Sequence, residues 1–178
     1  MRYLLFVSLF FCLTACSSSK KIVSETNAET IPFWTAEVRD TVERNDFRIV
    51  LSTSKFSITG IYVAKRLNGQ WRGSIINEFG IKVCDVVSNA KKCELINVIP
   101  FLNKWYIRKV VASDIQFIME IDNPNYKVGV AAERRWEQDI LTVNYKKAKQ
   151  LQRLPNGEIK YFNHKHGLTY SFIKISEN

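Results

Sequence analysis

Residues 66–97 read RLNGQWRGSIINEFGIKVCDVVSNAKKCELIN, and the fold depends on how this stretch is punctuated. Apolar and β-branched runs are interrupted at regular intervals by turn chemistry: Asn68-Gly69, then Glu78-Phe79-Gly80, then Ser88-Asn89. Asn-Gly is a strong hairpin signal, because both central residues of a tight two-residue turn need positive φ, which glycine adopts freely and asparagine tolerates. Turns roughly ten residues apart describe consecutive antiparallel strands, a meander. The spacing predicts strands at 56–66, 70–77, 81–87 and 92–97. Gly60 and Gly73 fall inside two of them, where glycine often marks a bulge or a bend in a curved sheet.

Downstream the period changes. In NVIPFLNKWYIRKVVASDIQFIM (97–119), Asn97 can cap a helix and Pro100 is tolerated in its first turn. Leu102, Trp105, Tyr106 and Val110 then share one face, with Lys104 and Arg108 off it. Ser113 can cap a second short helix carrying Ile115, Ile118 and Met119, while the β-branched content of 106–111 leaves a strand open there. After the DNPN turn at 122–125 the pattern returns to strands, at 140–145, 149–154, 158–163 and 168–175, with Pro155-Asn156-Gly157 as a turn. The expected class is α+β and mostly antiparallel β, with helix inserted mid-chain and gathered on one side of the sheet.

Upstream, IPFWTAEVRDTV (31–42) fits a helix through Trp34, Val38 and Val42 and a strand through Trp34, Ala36 and Val38, and both stay open. Residues 16–30 are polar and aperiodic and read as a tether, leaving 31–178 as a single β-rich domain. The chain begins MRYLLFVSLFFCLTAC: a positive Arg2, then an apolar run from Tyr3 to Leu13 that is too short to span a bilayer, which takes about 20 residues. That is the layout of an export signal. Leu13-Thr14-Ala15-Cys16 resembles the bacterial lipobox. The resemblance implies a signal peptide at 1–15 cut between Ala15 and Cys16, with Cys16 carrying diacylglycerol and acyl chains of the palmitate type. Ser17, where an aspartate would retain the protein, implies sorting to the outer membrane; a periplasmic face is expected there, though the sequence does not choose the face.

A formal charge of +9 at pH 7 raises nucleic acid as a partner, but an exported, anchored protein seldom meets it. Anionic head groups, an acidic protein partner or a solubilising surface fit the compartment better. Of four cysteines, Cys12 leaves with the signal and Cys16 with the lipid, so Cys84 and Cys93 form an even pair in an oxidising compartment. They lie symmetrically about Ser88-Asn89. A two-residue loop there sets them directly opposite each other with Cα atoms about 4.5 Å apart, within disulfide range, and a disulfide is expected.

The search for chemistry is mostly negative. No nucleophile elbow, zinc-protease helix, glycine-rich phosphate loop or C-x-x-C is present, and Arg72-Gly73-Ser74 is no substitute, so neither an enzyme nor a cofactor is expected. His164 and His166 would make half of a metal site without visible partners, and an exposed turn is expected instead. Glu133 and Glu137 are interleaved with Arg134 and Arg135 and read as a solvated, salt-bridged face. Residues 144–166 hold six basic side chains and one acid, read as a basic outward face of strands. Phe79 stands out, because a hairpin tip is normally polar, so this ring either folds back over the rim or projects to touch something apolar.

Together these features resemble the LolA/LolB lipoprotein-localisation superfamily: incomplete β-barrels with helices as a lid over an apolar cavity. In LolB the receiving hairpin carries an Asn-x-apolar-Gly turn whose apolar residue projects toward the membrane. Asn77, Phe79 and Gly80 match that turn within WRGSIINEFGIKV, and the run from Ile99-Pro100 to Trp105 is loosely similar to a later Pro–Trp segment. The resemblance implies a carrier of acyl chains or lipoproteins, with Phe79 at the membrane. Leu102, Trp105 and Tyr106 are expected to line the cavity. The alternative is an accessory envelope lipoprotein whose sheet binds a protein partner.

Overall fold

The computed structural model describes residues 44–175. The signal, Ala15 and Cys16, the tether and the ambiguous 31–42 stretch lie outside the described residues. Five strands come first: β1 (Arg44–Ser52), β2 (Ser57–Leu67), β3 (Gln70–Asn77), β4 (Lys82–Ser88) and β5 (Cys93–Ile96). A 3-10 turn at Pro100–Leu102, helix α1 (Trp105–Glu120) and the short α2 (Lys127–Val130) follow. Then come β6 (Glu133–Glu137), β7 (Ile140–Tyr145), β8 (Lys149–Arg153), β9 (Ile159–Asn163) and β10 (Leu168–Lys174).

All ten strands belong to one antiparallel sheet in the order β5-β4-β3-β2-β1-β10-β9-β8-β7-β6. Each half is a meander, and the first and last strands join the halves through pairs such as Ile49 with Phe172. The sheet is open between β5 and β6, and α1 lies in the connection between those two edges. The sheet has to curve around the helix. Asp114 bonds to Tyr161 of β9, while Gln116, two residues on, donates to the Asn89 carbonyl beyond β4. Flat, β9 and β4 would be five strand spacings apart, roughly 24 Å, which a helix only about 10–12 Å across cannot bridge from adjacent turns. Strand burial alternates accordingly, with Tyr62, Ala64, Trp71, Val86, Val143, Leu151, Tyr161 and Phe172 facing inward onto Phe117, Ile118 and Met119 of α1.

The predicted turns form for the predicted reason where backbone conformation decides them. Asn68 and Gly69 both have positive φ (49° and 72°). At the next tip the Asn77 side chain accepts from Phe79 N and Ile81 N, and Gly80 takes φ 77°. Gly73 is required by space, since a Cβ there would stand 2.3 Å from the Val63 carbonyl oxygen and 2.8 Å from the Tyr62 ring. A Cβ on Gly60 would stand 2.2 Å from the carbonyl oxygen of Ile76, beside the register shift between Ile75 and Ile76, whereas at Gly73 the register is regular and close approach alone calls for glycine.

Four expectations are corrected. The Ser88-Asn89 turn is longer: the Asn89 side chain accepts from Lys91 N and Lys92 N, so Asn89 opens a four-residue connection and Ser88 faces Cys93. Cys84 lies four residues along β4 from that position, so the two cysteines are not opposite each other, and no bond joins them in this structure. Asn97 caps no helix; it sits at φ 52° and donates to Asp85, and α1 begins at Trp105 without a side-chain cap. Ser113 begins no second helix either, because α1 runs unbroken through it. β1 and β6 were not among the predicted strands. The β6–β7 turn uses Gln138 and Asp139 at positive φ, without the glycine that would have announced it, and the Glu133–Glu137 segment is a fully exposed strand with an Arg135–Glu137 ion pair of 2.7 Å.

Candidate functional site

Helix α1 is held asymmetrically. Its second half is buried and pinned by polar contacts. The Asp114 carboxylate, fully buried, accepts from Tyr161 Oη (2.6 Å), Asn163 Nδ2 (2.8 and 2.9 Å) and Tyr170 Oη (3.2 Å), with Lys149 Nζ at 3.4 Å. Burial and the neighbouring Asp114 charge push both tyrosine hydroxyls far above their ordinary range, so they stay protonated and donate to the carboxylate. Glu120, also buried, accepts from Asn123 (2.6 Å); burial raises its pKa, against the opposing effects of that bond and of Arg66. Beyond the helix, Asp122 pairs with Arg153, and Arg134 donates to the carbonyls of Ile121 and Gly129.

The first half differs. Trp105, Tyr106, Arg108 and Lys109 are exposed, and the polar tie from this half to the sheet is Arg108 donating to the Leu95 carbonyl at 2.7 Å. Beneath it lies an apolar cleft of about 50 Å³, lined on the helix side by Leu102, Ile107, Val111 and Ile115. Ile49, Leu51, Ile75, Val83 and Phe172 line the sheet side. Pockets for drug-sized ligands are commonly about 300–1,000 Å³, so the cleft as it stands is closed. Among the described residues, the half of α1 above it carries no buried polar anchor.

The predicted lining residues divide. Leu102 lines the cleft from the 3-10 turn, but Trp105 and Tyr106 lie outside it. They face a separate groove of about 430 Å³ on the other flank of α1, which also holds Lys109, Val110, Ser113, Lys149 and Lys165. The reason is helical phase: Ile107, Val111 and Ile115 recur every fourth residue on the sheet-facing stripe, which Trp105 and Tyr106 miss. Phe79 is 78% exposed at the β3–β4 tip. Sequence reasoning missed its companions. The β1–β2, β3–β4, β7–β8 and β9–β10 turns share one end of the sheet, and the chain between β5 and α1 emerges there too. Exposed Phe56, Ile81 and Phe101 therefore join Phe79 along this rim, Phe101 sharing a hollow of about 210 Å³ with it. The available signal was the recurrence of an aromatic beside each of these connections.

The basic segment is likewise only partly outward: Lys149 turns in to Asp114 and Arg153 to Asp122, while Lys146, Lys147 and Lys165 are exposed. His164 and His166 occupy an exposed turn, and among the described residues no cluster of metal-ligating side chains occurs. Ser113 Oγ lies 2.8 Å from Lys149 Nζ, but the same ammonium also donates to the Ser113 carbonyl, and Ser113 sits within the helix. Burial pushes both cysteine thiols up to about 12, which suits structural rather than reactive sulfur.

No protein-family model and no curated protein matches the chain. Among the described residues no helix is long and apolar enough to cross a membrane.

Proposed function

We propose that the chain is a lipid-anchored protein of the outer membrane that houses an apolar ligand, an acyl chain or the lipidated end of a lipoprotein, between its sheet and α1, in the manner of a LolB-like carrier. The observation that carries this reading is the cleft itself: its lining is almost wholly apolar, and it lies beneath the half of the helix that lacks buried polar anchors. Burial of an alkyl chain there is favourable by about 0.8 kcal/mol per methylene, so the site needs no catalytic group to hold one. The exposed Phe56, Phe79, Ile81 and Phe101 surround the cleft's end of the sheet and suit contact with a bilayer. On this reading Cys16 is the anchor and Phe79 the leading membrane contact.

The test is uptake of a fluorescent fatty acid by the full-length protein in neutral detergent. Wild type should bind at one per chain, and Val111→Phe, which fills the cleft, should reduce uptake several-fold. Absence of binding, or Val111→Phe binding as wild type, refutes the reading. A second reading has one feature in its favour: β6 is a sheet edge whose five residues are all exposed, Trp136 among them, which suits strand addition by a protein partner. Crosslinking that recovers a stoichiometric protein and no lipid selects it.

A further inference from the structure

The groove on the outer flank of α1 is larger and more polar than the cleft. Three elements converge on it: α1 with Trp105, Tyr106 and Lys109; the start of β8 with Ala148 and Lys149; and the β9–β10 turn with Lys165 and His166. At about 430 Å³ it is of ligand size as it stands. Its charge is unbalanced. The one carboxylate at its floor, Asp114, is consumed by Tyr161, Asn163, Tyr170 and Lys149, whereas Lys109 and Lys165 form no ion pair among the described residues. Trp105 is 75% exposed and stands edge-on to the half-exposed Tyr106 at 6.1 Å, so two aromatic rings line the groove. Lys146 and Lys147, both exposed, precede Ala148 in the β7–β8 turn, which lies at the same end of the sheet as the rim that bears Phe56 and Phe79.

We infer that this groove is a binding site for a phosphate-bearing ligand of net negative charge, with Lys109 and Lys165 as its ion-pairing partners and Trp105 and Tyr106 packing on whatever carries the phosphate. Two free ammonium groups beside exposed aromatic rings match an anionic group on an amphipathic body. The cationic mouth at the apolar rim matches the depth at which phosphate lies beneath a bilayer surface. The groove and the cleft share no lining residue, so each can be altered by substitution without touching the lining of the other.

The experiment titrates the full-length protein, in neutral detergent, with short-chain phosphatidylglycerol, short-chain phosphatidylcholine and inorganic phosphate, read by the fluorescence difference between wild type and Trp105→Phe. Phosphatidylglycerol should bind at least tenfold more tightly than phosphatidylcholine. The double variant Lys109→Gln/Lys165→Gln, both exposed positions, should lose about tenfold or more in affinity for it while keeping the wild-type melting temperature and fatty-acid uptake. Competition by inorganic phosphate assigns the site to free phosphate, and its absence assigns it to the lipid head group; each supports the inference. Equal binding of the two lipids, a double variant that binds as wild type, or a loss confined to sedimentation with anionic vesicles overturns it. If fatty-acid uptake fails while phosphatidylglycerol binding stands, the carrier reading falls and the groove remains.

Discussion

Replacing Asp114 by alanine removes the acceptor on which four side chains from three strands converge. Tyr161 Oη, Asn163 Nδ2 and Tyr170 Oη are all buried donors, and Lys149 reaches the same carboxylate from β8. A buried donor left unpaired costs about 1–3 kcal/mol. Two effects offset this: the carboxylate's own desolvation penalty disappears, and Lys149, whose side chain is 16% exposed, can turn toward water. The net expectation for Asp114→Ala is about 3–5 kcal/mol, the range for breaking a buried ionic cluster from one side. Against a total stability of about 5–15 kcal/mol, that lowers the melting temperature by about 10–15 °C at this chain size. Asp114→Asn, which keeps one acceptor oxygen, should lose about half as much. Urea unfolding followed by circular dichroism measures both, and hydrogen exchange adds a local reading. In wild type residues 113–120 should exchange far more slowly than 105–111, and in Asp114→Ala the difference should shrink. A loss under about 1 kcal/mol with coincident transitions would show that the apolar face of α1, and not the buried network, holds its second half down, and the asymmetric lid would lose its basis.

Two further outcomes follow from the hairpins. Intact mass of unreduced protein should show Cys84 and Cys93 as two thiols, slow to alkylate until the chain is unfolded; a loss of two mass units would mean that the β4–β5 register is not the one described. Burial would raise the pKa of Asp85, but hydrogen bonds from Asn97, Ser74 and Lys82 outweigh it and hold the carboxyl below its ordinary value. Because the folded pKa lies below the unfolded one, this contribution is complete above about pH 4 and is lost as the pH falls through the folded value. Asp85→Asn should therefore lower the neutral plateau, where the contribution is complete, change stability least at acid pH, and so flatten the acid limb of the profile.

Legibility in the sequence followed the range of the interactions. Asn68-Gly69, Asn77 to Gly80 and Pro155 to Gly157 announced their turns because the constraint is a φ angle, a property of one or two residues. Strands β2, β3, β7, β8, β9 and β10 emerged within a residue or two from alternation between such turns. Ser88-Asn89 misled because an asparagine can fill a turn position with its backbone or close a wider turn with its side chain; composition does not distinguish these, and the choice shifted the cysteine register. The unbroken α1 across Ser113 and its β-branched first half was decided by packing against the sheet, which overrides helix propensity.

For the candidate site the division is sharper. By itself the chain determined an antiparallel meander, a mid-chain helix and an aromatic residue at a hairpin tip, since each is written in local pattern. Only the tertiary structure decided that Trp105 and Tyr106 leave the apolar cleft for a basic groove, that Asp114 anchors the helix, and that Phe56 and Phe101 join Phe79 on one rim. Those facts depend on which strand ends meet across the β1–β10 junction and on the rotation of one helix against a curved sheet, and both are set by the whole core at once.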